Sequence, residues 1–222
     1  MRNDLISQIE KEKLIVIVRG VKRDRLIALA DALYAGGVRL MEITYDASGK
    51  TSDEETAENI ALLVRHFEGR MQIGAGTVLT EKQVILTKHA GGRFIISPDT
   101  NEIVIRKTRE LGMVSIPGAL TPTEAQTAHR FGADFVKLFP IGSLGASYVK
   151  AITAPLSHIR FLAVGGVDET NIADYRKVGI CGFGIGSSIV NAKLLEKQDA
   201  SSITALAEMY VAAINAADSN GK

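Results

Sequence analysis

Two side chains in this 222-residue sequence sit in apolar runs where a full charge is costly to hold. Lys137 lies inside Phe135-Val136-Lys137-Leu138-Phe139-Pro140, and Glu42 follows Arg39-Leu40-Met41. Alternation along a strand puts Phe135, Lys137 and Phe139 on one face. An ammonium buried there is destabilising unless it is paired or neutral. Desolvation lowers its pKa and frees the neutral amine to attack a carbonyl carbon. A carboxylate nearby can then move protons, directly or through water. Arg19 adds a forked donor suited to a carboxylate, and Thr77 a hydroxyl beside it. The alternatives are structural: a lysine that snorkels to a mouth of the fold, and a glutamate that only pairs with Lys137 or Arg19.

Elements able to hold such groups recur along the chain. Short apolar runs appear at Leu14–Val18, Arg39–Thr44, Gln72–Ala75, Arg93–Ser97, Met113–Ile116, Asp134–Leu138, Arg160–Val164 and Gly182–Ile185. Their continuous apolar character is that of parallel strands buried on both faces. Amphipathic helices are expected between them, at Asp24–Ala35, Ser52–Phe67, Glu81–Ala90, Thr100–Leu111, Thr121–Phe131, Ser147–Ile152, Glu169–Val178 and Ser201–Ala217. Most end at glycine, the residue that closes a helix without strain. The N-terminal MRNDLISQIEKEK reads as a further short amphipathic helix with no signal-peptide core. Repeated strand–helix units in one domain of this length predict a single-domain (β/α)8 barrel over residues 1–222. An open doubly wound sheet is less suited, because Arg19-Gly20-Val21 is not its glycine-rich turn.

In such a barrel, chemistry gathers at the C-terminal ends of the strands. Those ends deliver Arg19, Glu42, Thr44, Thr77, Ser97, Pro98, Pro117-Gly118 and Lys137. The last two strands run into Gly165-Gly166-Val167 and Gly186-Ser187-Ser188. Each loop is expected to open a helix, and its free N–H groups to take a phosphate without lysine or arginine. The four histidines are scattered, with no metal-ligand spacing. Cys181 is the one cysteine and reads as a small buried hydrophobe. With 26 basic and 25 acidic residues, no charge surplus points to nucleic acid or an anionic membrane. No apolar stretch approaches a membrane span, so a cytoplasmic protein is expected.

These segments resemble the Schiff-base aldolases acting on 2-keto-3-deoxy-6-phosphogluconate and 4-hydroxy-2-oxoglutarate. The likeness runs in order over nearly the whole chain: Ile15–Arg19, Gly36–Thr44, Gly74–Leu79, Ile96-Ser97-Pro98, Ile116-Pro117-Gly118, Thr121–Glu124, Val136–Pro140, Val164–Val167 and Gly184–Ser187. It implies an imine on Lys137 and proton transfer by Glu42. It also implies a substrate held by Arg19, Thr77, Pro98, Phe139 and Val164, and a phosphate held by Gly165, Gly166, Gly186 and Ser187. The products would be pyruvate and an aldehyde, with no metal or organic cofactor, and the assembly a homotrimer. Two positions depart from many members: Asp46 stands where they carry arginine, and Val164 where they carry threonine before the glycine pair. Members acting on the galactonate epimer resemble this chain at Val164. Losing one hydroxyl there, about 1 kcal/mol, would bias epimer choice without abolishing catalysis. Asp46 would repel an anion unless its loop folds differently. A phosphosugar epimerase or isomerase on the same barrel would use the phosphate loops but not Lys137. A non-catalytic sensor of phosphorylated ligands would bind without turnover.

Overall fold

Strands and helices alternate from Leu14 onward in the computed structural model, which describes residues 2–219; Met1 of the expected N-terminal helix lies outside them. The strands are β1 (Leu14–Val18), β2 (Leu40–Thr44), β3 (Gln72–Gly76), β4 (Phe94–Ile96), β5 (Val114–Ile116), β6 (Gly118–Ala119), β7 (Val136–Leu138), β8 (Phe161–Val164) and β9 (Ile180–Ile185). Helix α1 (Arg2–Glu12) precedes them. The others are α2 (Arg23–Ala35), α3 (Asp53–Phe67), α4 (Glu81–His89), α5 (Glu102–Glu110), α6 (Pro122–Phe131), α7 (Gly145–Thr153), α8 (Ile172–Lys177), α9 (Ala192–Glu196) and α10 (Ala200–Ser219).

All strand pairs are parallel, in the order β5-β4-β3-β2-β1-β9-β8-β7-β6. The two ends of that order, β5 and β6, are consecutive in the chain. They are one barrel strand interrupted at Pro117, which has no N–H to give a ladder. One half pairs with β4 and the other with β7, so the chain itself closes the (β/α)8 barrel.

Local chemistry sets the helix starts. Thr80 and Thr121 form reciprocal capping boxes with Gln83 and Glu124, and Pro122 fills the first turn of α6. Gly132 ends α6 at φ +103°, a conformation an L side chain resists.

Strand alternation divides the apolar residues into two layers. The barrel lumen holds Ile15, Leu40, Phe94, Ile96, Val114, Ile116, Phe135 and Leu162. Leu5, Ile6 and Ile9 of α1 join that cluster and floor the barrel, each contributing roughly 1.5–3 kcal/mol relative to exposure. The outer layer, with Val16, Met41, Ile73, Ile95, Val136 and Phe161, meets the helices. A buried carboxylate also ties the floor: Asp134 accepts from Arg2 at 2.6 Å, Arg109 at 2.9 Å and the Ser115 N–H at 3.0 Å. Among the described residues no helix is long and apolar enough to cross a membrane.

Candidate active site

Above the apolar lumen the inward positions turn polar. On β2, Leu40 and Glu42 share a face, and on the β7 segment Phe135 and Lys137 do. Both charged side chains are almost wholly enclosed, Glu42 at 2% exposure and Lys137 at 7%. Register places Glu42 beside Ile17 of β1 and Gly74 of β3, while Lys137 lies between Gly118 and Leu162.

Glycines on β3 make the room. A Cβ at Gly74 would overlap the Phe94 ring, and one at Gly76 would overlap the Glu42 carboxylate. The Gly-Ala-Gly stretch is therefore a mould for the acid above and the ring below. Sequence reasoning used these glycines only as part of the resemblance. The signal available was two glycines at alternate positions of one strand, which mark a close approach on its inner face.

Burial pushes the Glu42 carboxyl up to about 7, although Lys137 and Arg19 both draw it down. Burial likewise lowers Lys137; its charge is favoured by Glu42 and opposed by Arg19. Each group resists its charged form while favouring the other's. Among the described residues they form no contact ion pair, and Glu42 Oε2 has no hydrogen-bond partner. The ammonium does have one further support. Lys137 Nζ lies 4.4 Å from the centroid of the Phe139 ring, within cation–π range. A proton acceptor with its pKa near neutrality and an amine depressed toward its free-base form thus share one water-poor chamber.

A cavity of about 450 Å³ lies at the C-terminal ends of β1, β8 and β9. Ile17, Arg19, Phe139, Val164, Gly165, Gly166, Gly184, Gly186 and Ser187 are in its wall. Lys137 and Glu42 are not in its wall, but Phe139, whose ring faces Lys137 Nζ, is. Arg19 donates from Nη2 toward Thr77 Oγ1 at a long 3.4 Å. Thr77 itself is held at φ +54°, in the left-handed region. Pro98 does not join the cavity; its carbonyl packs where a Cβ of Gly118 would stand, bracing the Pro117 break.

The two glycine loops face the same cavity, but neither opens directly into a helix as expected. Val164 is followed by Gly165 and Gly166 at φ +81° and +80°, and then by a braced turn before α8. Asn171 Nδ2 donates to the Gly166 carbonyl, and Asp168 Oδ1 accepts from Thr170 and Asn171. After β9, the N–H groups of Ile189 and Val190 fold back onto the Gly186 carbonyl, and α9 starts only at Ala192. Any anion here would be held by turn N–H groups, not by a helix dipole.

A second cavity of about 550 Å³ lies between the loops after β1 and β2 and shares Arg19. Asp46 borders it, with its carboxylate already occupied by Ser48 N at 2.9 Å, Ser48 Oγ at 2.7 Å and Thr51 N at 3.0 Å. Those bonds hold its pKa down at about 2. Asp46 thus organises its own loop while keeping its negative charge. Cys181 is half-buried, and burial pushes its thiol up to about 12. His129 and His158 meet edge to face, with ring centroids 4.9 Å apart. Among the described residues no cluster of three or more His, Cys, Asp or Glu could hold a metal.

Comparison with known proteins adds to this geometry. A family model described as KDPG and KHG aldolase matches residues 5–206. A probable 2-dehydro-3-deoxy-6-phosphogalactonate aldolase of Rhizobium meliloti is 41% identical over 177 residues, covering 79% of this chain and 81% of its own. The solved native KDPGal structure superposes with a TM-score of 0.83 at 34% identity, over 93% of this chain and 96% of that one. The KDPG aldolase of Legionella pneumophila, solved with pyruvate captured as a covalent carbinolamine, gives a TM-score of 0.80 at 26% identity. That match covers 91% of this chain and 96% of the Legionella one.

Proposed function

Because the chain belongs to the KDPG and KHG aldolase family and is a carbon–carbon lyase, we propose that Lys137 forms a Schiff base with a phosphorylated 2-keto-3-deoxy sugar acid. The observation that carries this reading is a buried amine and a buried carboxyl, both shifted toward neutrality, at the same end of the barrel.

The neutral Nζ attacks the C2 ketone, and the Glu42 carboxylic acid protonates the carbinolamine hydroxyl, which leaves as water to give an iminium and the Glu42 carboxylate. Glu42, as its carboxylate, takes the C4 hydroxyl proton while the C3–C4 bond breaks. The bonding electrons flow into the iminium, leaving an enamine and releasing the aldehyde. The enamine is protonated at C3 by the Glu42 carboxylic acid, and water then hydrolyses the imine to free pyruvate and Lys137. The iminium is the electron sink, so the route requires neither metal nor organic cofactor.

Arg19 and Thr77 hold the substrate's carboxylate end, with Phe139 and Val164 against its carbon chain. Pro98 supports that wall from behind, by bracing the strand break. Gly165, Gly166, Gly186 and Ser187 take the phosphate through turn N–H groups. Val164 offers no hydroxyl, which supports the galactonate epimer as the preferred substrate, as does the Rhizobium relative. The released aldehyde is then glyceraldehyde 3-phosphate. The enzyme works as a homotrimer in the cytoplasm on small-molecule substrate alone, with neither nucleic acid nor membrane as partner.

Pyruvate release from the galactonate epimer, the gluconate epimer and 4-hydroxy-2-oxoglutarate, measured side by side, tests the reading. The galactonate epimer should give the highest kcat/KM, and Lys137→Ala should abolish all three activities. A Lys137→Ala variant that still turned these compounds over, or interconverted phosphosugars, would replace the lyase chemistry with an epimerase's. Binding with no turnover would leave only a sensor.

A further inference from the structure

Thr77, whose hydroxyl accepts from Arg19, holds a backbone angle that a β-branched residue resists, with φ at +54°. Such a conformation persists only where the surrounding chain holds it on both sides. Before it, the Gly76 carbonyl accepts from the Tyr45 N–H at 2.8 Å; after it, the Val78 N–H donates to the Ile96 carbonyl at 3.2 Å. The next two N–H groups go to one side chain. Gln83 Oε1 accepts from Leu79 N at 2.8 Å and from Thr80 N at 3.3 Å. That side chain is buried, and its other end, Nε2, donates to Asp53 Oδ1 at 2.9 Å. Asp53 begins α3, where the loop after β2 ends. One glutamine therefore spans the loops after β2 and β3.

The second capping box shows what the amide adds. At the start of α6 the matching N–H groups, of Leu120 and Thr121, donate to the Glu124 carboxylate at 2.9 and 2.8 Å. A carboxylate is the stronger acceptor, and the start of a helix favours its charge. Glutamine on α4 gives up that advantage and gains a donor, which it uses on Asp53. A carboxylate there would face Asp53 as a like charge.

We propose that Gln83 is a positioning residue for the carboxylate end of the substrate, fixing Thr77 by tying the turn that follows it to α3. The proposal rests on the assignment of that carboxylate to Arg19 and Thr77. Gln83 touches no reacting atom; it acts by keeping the Thr77 hydroxyl where the substrate can meet it.

Gln83→Glu keeps the helix cap and removes only the donor to Asp53, so the fold should be retained. Steady-state kinetics on the full chain would use a phosphorylated 2-keto-3-deoxy acid, with pyruvate and inorganic phosphate as inhibitors. A loosened Thr77 predicts a KM and a pyruvate inhibition constant raised roughly three- to ten-fold. kcat and inhibition by phosphate should stay unchanged, because Lys137, Glu42 and the glycine loops are untouched. Adding Asp53→Asn exchanges donor and acceptor across the same contact and should restore both constants. In a Thr77→Ala background, Gln83→Glu should add nothing further. Thr80→Ala loses the other bond of the cap and none made by the glutamine side chain, so it should lower Tm without moving KM. Unchanged constants in Gln83→Glu, no rescue by Asp53→Asn, or additive losses with Thr77→Ala would each overturn the proposal. So would equal weakening of pyruvate and phosphate inhibition, or a KM shift in Thr80→Ala, since both would mark a merely structural glutamine. Wild-type KM and pyruvate inhibition in Thr77→Ala alone would instead overturn the carboxylate assignment, and this inference with it.

Discussion

Replacing Glu42 by Gln should make the protein more stable above neutral pH while disabling it. Burial raises this carboxyl from 4.5 to about 7, so the folded state holds its proton across a range where the unfolded chain has lost it. Stability therefore falls as pH rises from about 4.5 to about 7, and the cost of the ionised group is complete above that. The difference corresponds to about 3 kcal/mol. Glutamine has nearly the same shape and never ionises, so it removes this slope. Urea unfolding of both proteins at pH steps from about 4 to about 8.5 would read it, since other titrating groups cancel in the comparison. The two proteins should match near the acid end, with the variant ahead by up to about 3 kcal/mol at the alkaline end. Its kcat should fall roughly 10²–10⁴-fold with the loss of the proton carrier. Parallel stability curves would refute the reasoning, because they would mean that Glu42 ionises as freely in the folded protein as in the unfolded chain.

Gly76→Ala drives a Cβ into the Glu42 carboxylate; an overpacking cost of about 1–3 kcal/mol is expected in thermal unfolding, together with a lower kcat. Asp134→Ala strips Arg2, Arg109 and the Ser115 N–H of a shared buried acceptor. Chemical denaturation should show a loss of about 3–5 kcal/mol, with the KM of the folded enzyme unchanged because the site lies at the other end of the barrel. Thr80→Ala removes one half of a capping box on α4 and should lower stability by about 1 kcal/mol with unaltered kinetics.

The barrel was legible because each unit carries its own punctuation: an apolar run, an amphipathic stretch, a closing glycine. β1 has the expected limits, and most others differ by a residue or two at frayed ends. The interruption at Pro117 was written in the sequence as a missing N–H, yet only the barrel shows that the two halves serve different neighbours. α9 left no signal, since none of its five residues is buried and periodicity needs a buried face. On the site, Lys137 and Glu42 were readable as charges inside strands. What a linear reading lacked was depth. Asp46 reads as an exposed negative charge, although the Ser48 and Thr51 donors that occupy it are only two and five residues away. The space at Gly76 exists only once strands and helices are set side by side.

Trapping with pyruvate and borohydride, followed by peptide mapping, decides whether the buried amine is the nucleophile. A single reduced adduct on Lys137, lost in Lys137→Ala, is the expected result. Label on other lysines with Lys137 untouched, or no label where a control aldolase is modified, would contradict it.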